Sequence, residues 1–137
     1  MTFFRVRIDR SGELLASHVG TASSLWARFL GLMGRAALEP GEGLWFPGDT
    51  SIHMLFMRFP IDAVFLAPAR DASRRAAGQT GDATVATRWI AVSIRADLRP
   101  WTGIVWYVRG ARGCLELESG AASRAGLQTG DTVRFEV

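Results

Sequence analysis

Phe4, Val6 and Ile8 alternate with Arg5, Arg7 and Asp9, and short stretches with this period of two, or apolar on both faces, return along the whole chain between Gly- and Pro-bearing breaks. A period of two builds strands that bury one face, and a continuous apolar run of four to eight residues builds a strand buried on both. The chain must therefore fold around a sheet. Arg10-Ser11-Gly12-Glu13 supplies a turn, and Leu14 to Val19 return as the second arm of a hairpin. After a short apolar run at Leu44-Trp45-Phe46, the segments Ser51 to Phe59, Ile61 to Ala67, Ala83 to Ile94, Ile104 to Val108, Cys114 to Glu118 and Thr132 to Val137 are further strand candidates. Pro60 has no N–H to donate, so it must interrupt a ladder or sit at an edge.

One segment breaks the pattern. After Ser23 or Ser24 as N-cap, Leu25, Phe29, Leu32 and Met33 recur at helical spacing, with Trp26 and Leu30 widening the stripe and Gly34 closing it. Ala121 to Ala125 reads as a single helical turn, followed by a tight turn at Leu127 to Asp131. Residues 68–83 are small and polar and lie between strand-like segments, which marks a long mobile hairpin loop. The expected fold is α+β: a curved, mainly antiparallel sheet or partial barrel of about eight short strands with one main helix. With 137 residues, 48% of them hydrophobic and 21% charged, the expectation is one domain over 1–137.

Charge narrows the function classes. The net charge is only +3, and all 16 basic residues are Arg. Residues 67–112 hold eight of these Arg against three acids, so a nucleic-acid reading rests on that stretch alone, and no nucleic-acid partner is expected. Apolar runs such as Met54-Leu55-Phe56-Met57 fall far short of the ~18 residues that cross a bilayer, and the first residues lack the apolar block of a signal peptide. The sequence predicts no membrane partner and a cytoplasmic location. The single Cys114 forms no intramolecular disulfide. His18, His53 and Cys114 are widely separated in sequence, with no ligand-pair spacing, so no metal and no cofactor are expected.

Chemistry concentrates in Ser51 to Asp62. Arg58 and Asp62 flank Pro60 in an otherwise apolar stretch, and both are costly to bury unless they bond each other or nearby backbone groups. They form either a structural brace or a cleft in which Arg58 binds an anion, Asp62 orients it and His53 titrates near neutral pH. Trp101 follows the turn at Leu98-Arg99-Pro100 and belongs either to the core or over that cleft. Cys114 reads as a packed side chain, because strand alternation sets neither a His nor a helix N-terminus beside it.

Gly31-Leu32-Met33, Gly43-Leu44-Trp45-Phe46, Ile52-His53, Met57-Arg58-Phe59-Pro60-Ile61-Asp62, Leu98-Arg99-Pro100-Trp101 and Leu115-Glu116-Leu117 followed by Gly120 together resemble the domain of unknown function 192 (DUF192) family over roughly 15–137. The resemblance implies a small α+β fold and no established activity. It places Arg28, Met57, Arg58, Pro60, Asp62 and Glu116 at motif positions. The candidate ligand-binding set is therefore His53, Arg58, Asp62, Trp101, Arg28 and Glu116. The expected function is a small binding or accessory module whose cleft takes an anionic small molecule or a partner peptide. The alternative is a hydrolase-type enzyme with Asp62 or Glu116 as base, His53 as acid and Arg58 as oxyanion clamp. Oligomeric state is left open.

Overall fold

The computed structural model describes residues 3–22, 38–53, 58–69 and 87–137. Strands β1 (Phe3–Ile8) and β2 (Leu14–Thr21) form the expected hairpin. They are followed by β3 (Glu42–Pro47), β4 (Ile52–His53), β5 (Ile61–Pro68), β6 (Arg88–Leu98), β7 (Ile104–Val105) and β8 (Gly113–Glu118), then the short helix α1 (Ala121–Ala125) and β9 (Thr132–Glu136). Seven strands close into a barrel in the order β1-β2-β3-β8-β5-β6-β9, with β9 returning to β1, while β4 and β7 pair apart as a two-stranded sheet.

The expected curved, mainly antiparallel sheet is present, and in place of the expected partial barrel it closes fully. The bonds that close it, β1 with β9 and β6 with β9, join segments far apart in sequence, and no local pattern announces them. Closure removes the two open edges that a sheet of this size would otherwise expose. All pairings in the barrel are antiparallel except β2 with β3, which run parallel. A parallel pair needs a crossover of a dozen or more residues. The chain between Thr21 and Glu42 supplies it, and the helix predicted from Ser23 to Gly34 falls there, outside the described residues.

Alternation sorts the side chains into two cores. Val6, Ile8, Val64, Leu66, Leu115, Leu117 and Val133 fill the barrel interior, with Ala121 and Ala122 of α1 closing one end. Trp45 anchors an aromatic group there, its ring 4.9 Å from that of Trp89 and 5.2 Å from that of Phe135. Gly113 is obligatory beneath it, because a Cβ would come within 2.1 Å of the Trp45 ring. On the outer face of the same strands, Ile61, Ala63, Phe65 and Cys114 pack under Leu38, Ile52, Phe59, Val105 and Val108. β5 is therefore buried on both faces, as its apolar run from Ala63 to Ala67 requires, with Asp62 as the one charged residue in the strand.

Two strand expectations shrink. Of Ser51 to Phe59 only Ile52–His53 is strand, Arg58 and Phe59 lie in a bend, and 54–57 fall outside the described residues. Of Ile104 to Val108 only the first two residues pair. β5 and β6 do pair as hairpin arms, while nearly all of the 68–83 loop lies outside the described residues.

Candidate functional site

Ile61 of β5 faces Leu98 of β6, but Ala63 faces Arg95, so β6 carries one extra residue opposite Asp62. Such a bulge withdraws a backbone amide from the ladder and bends the strand. Asp97 sits in it with φ 52°. Its freed N–H donates to Asp62 Oδ1 at 2.9 Å. The other oxygen of Asp62 accepts the N–H groups of Gly120 and Ala122, both at 3.1 Å. Helix α1 begins at Gly120, which has no side chain to cap it; Asp62 caps the helix from the neighbouring strand instead. Its exposure is 0%.

Arg58 is exposed, and no ion pair among the described residues joins it to Asp62. The choice between brace and cleft therefore divides: Asp62 bonds backbone amides, and Arg58 stands at the surface. Asp97 extends the network, accepting from Ser119 Oγ at 2.7 Å through Oδ1 and lying 3.3 Å from Arg99 Nη2 through Oδ2. One carboxylate thus joins the β6 bulge, the β8–α1 turn and β5 at one end of the barrel.

The chain leaves this end along two adjacent paths. Ile61 and Leu98 are the last pair of the β5–β6 ladder at this end; Arg58, Phe59 and Pro60 precede Ile61, and Arg99, Pro100 and Trp101 follow Leu98. Gly103 N–H donates to Arg99 O at 2.9 Å and Thr102 N–H to Pro100 O at 2.8 Å. This turn holds Trp101 at φ 68°, and its side chain is 55% exposed, so Trp101 is not a core residue. His53 pairs through its backbone with Ile104 just beyond the turn. Arg28 lies outside the described residues.

Glu116 is elsewhere. It is 1% exposed and sits in register between Leu44 of β3 and Ala63 of β5, whereas Asp62 faces Leu117. Residues one apart on a strand point to opposite faces, so the two carboxylates lie on opposite sides of the β5–β8 pair. His18 is stacked on Phe3 with ring centroids 3.9 Å apart, and Cys114 is buried. A separate groove of about 280 Å³ runs between Leu14 and Ser17 of β2, Gly41 and Arg124 of α1, and includes none of the residues expected to form the site. Asp97, Arg99 and Ser119 were not legible as site neighbours, because only the bulge brings them together.

A family model described as an uncharacterized ACR, DUF192, matches residues 6–80, more than half of the chain. The chain belongs to the DUF192 family. No curated protein matches it. Among solved structures it is similar to a candidate transcription regulator from Sinorhizobium meliloti 1021, with 25% identity, a TM-score of 0.72, and coverage of 98% of this chain and 94% of that one. It is also similar to a protein of unknown function from Novosphingobium aromaticivorans DSM 12444, with 22% identity, a TM-score of 0.65, and coverage of 97% and 84%. The second likeness is one of fold alone. The function of this DUF192 chain is not established, and no helix among the described residues is long and apolar enough to cross a membrane.

Proposed function

We propose that this DUF192 chain is a binding or accessory module that holds an anionic group, on a small molecule or on a partner peptide, at the corner where Arg58, Arg99 and Trp101 emerge from the barrel. The observation that carries this reading is the exposed Trp101, held at a positive φ by a hydrogen-bonded turn that begins at the exposed Arg99. A Trp face and Arg forks favour planar anions, through bidentate hydrogen bonds and stacking. Asp62 is then a positioning residue: its three amide bonds fix the bulge and the turn that aim the corner, and a ligand reaches its oxygens only by displacing them. The hydrolase alternative gains no support, since either candidate base is buried, Asp62 with three backbone amides on its oxygens and Glu116 at 1% exposure. The name of the S. meliloti neighbour raises contact with nucleic acid, which this reading does not require.

Titration with phosphate, sulfate and short carboxylates, followed by amide NMR shifts, is the test. Shifts are expected at Arg58 and Phe59 and at Arg99, Trp101, Thr102 and Gly103. Arg58→Met and Trp101→Ala each weaken binding roughly tenfold, while stability changes by no more than about 0.5 kcal/mol, as for other surface substitutions. Shifts clustered in the groove between β2 and α1, or none at all, would sink the corner reading.

A further inference from the structure

Four of the seven large hydrophobic side chains exposed among the described residues fall within one stretch of seven positions: Trp101, Ile104, Trp106 and Tyr107. Such concentration on a protein surface marks a contact site. Val105 and Val108 are buried in the outer core, and Val108 N–H donates to Thr50 O at 2.8 Å. The two residues between them face outward, Trp106 83% and Tyr107 66% exposed. Among the described residues, β7 pairs only with β4, and no hydrogen bond uses the backbone of Trp106 or Tyr107. Among the described residues the stretch therefore combines an unpaired strand edge with exposed aromatic side chains. From Leu98 to Leu115 there are three Arg and no acid; Arg99 is paired with Asp97, while Arg109 and Arg112 are exposed and give the edge its positive charge.

We propose that the Ile104–Tyr107 edge receives an extended acidic segment of a partner protein as an added strand. Unpaired amides and carbonyls at a sheet edge recognise another backbone, and aromatic side chains beside them supply the anchors on which binding energy concentrates. The run of Arg without acids selects a negatively charged segment and disfavours a second copy of this chain, whose matching edge would bring like charges together. A lipid surface or a nucleic acid would meet the same charge but would leave the backbone edge unused. The inference goes beyond the corner reading: Trp101 and Arg99 border both, but the edge itself is Ile104 to Tyr107 with Arg109 and Arg112.

The probe is a fluorescein-labelled peptide of alternating Glu and Val, compared with its Lys-Val counterpart and with a Glu-Val peptide N-methylated at alternate amides. The Glu-Val peptide is expected to bind the full chain, to slow hydrogen exchange at residues 104–107, and to weaken as salt rises. Trp106→Ala with Tyr107→Ala reduces affinity roughly tenfold or more. Arg109→Glu, an exposed change that keeps both aromatics, weakens the Glu-Val peptide and improves the Lys-Val one. Equal binding of the N-methylated or Lys-Val peptide, unchanged binding by the variants, or no peptide binding overturns the proposal. So does binding of phosphatidylglycerol vesicles or oligothymidylate in place of the peptide. Phosphate titration of the Trp106→Ala, Tyr107→Ala variant separates the two readings, because the corner retains its anion there whether or not the edge binds peptide.

Discussion

At the scale of single residues, Asp62 shows what a buried carboxylate does in an apolar strand. A charged group is stable in such a place only if fixed donors replace its water, and Asp62 has three backbone N–H donors at 2.9 to 3.1 Å. Asp62→Ala leaves those amides without their acceptor, and urea unfolding should show a loss of about 3 kcal/mol. Arg58→Met added to Asp62→Ala should recover none of it, since Arg58 is not the partner. Full rescue by that double variant would instead restore the Arg58–Asp62 brace. The residue spacing was enough to say that Asp62 needs partners. Which partners it finds depends on a bulge in β6, a strand separated from it by some thirty residues.

At the scale of elements, the turns carry much of the specificity. Arg10 in the β1–β2 turn grips Asp131 with two bonds of 3.0 Å and also donates to Gly126 O at 3.0 Å, while Gln128 N–H donates to Asp131 Oδ2 at 2.9 Å. The Arg10 hydrogen bond, more than any other influence, holds the Asp131 carboxyl below its ordinary range. The folded chain therefore binds that proton less readily than the unfolded chain. Its contribution is present in full above the unfolded carboxyl pKa of about 3.9 and fades as pH falls through the lower folded value. Asp131→Asn should lower the urea midpoint slightly near neutral pH, in keeping with an exposed ion pair. The gap to the parent chain should close below about pH 4. A gap that persists or widens in acid would contradict this assignment. The β1–β2 hairpin, β5, β8 and β9 were legible because their period or apolar run matched their burial. Ile104 to Val108 was legible only in part: five apolar residues read as a strand, yet only Ile104 and Val105 pair, and Trp106 and Tyr107 face outward while Val105 and Val108 meet the outer core.

At the scale of the whole molecule, β9 is the strand on which closure depends. It pairs with β1 on one side and β6 on the other, and it buries Val133 and Phe135 in the barrel. Removing residues 132–137 strips those side chains, worth about 1.5–3 kcal/mol each, from a domain whose total stability is of order 5–15 kcal/mol. It also leaves two unpaired edges. Aggregation and loss of the parent chain's peak in size-exclusion chromatography are expected. A soluble, cooperatively unfolding truncated chain would show that the barrel does not need its last strand.

The sequence by itself determined the sheet, most strand positions, the double-sided burial of β5, the turn before Trp101 and the family resemblance, because each is written in residues close together along the chain. Only the tertiary structure decided that the sheet closes, that Asp62 caps a helix and a bulge while Arg58 stays at the surface, and that Asp62 and Glu116 face apart. It alone also turned Trp106 and Tyr107 outward. Those outcomes depend on strand register and on which distant segment covers which face, and a shift of one residue in register reverses every side chain on a strand.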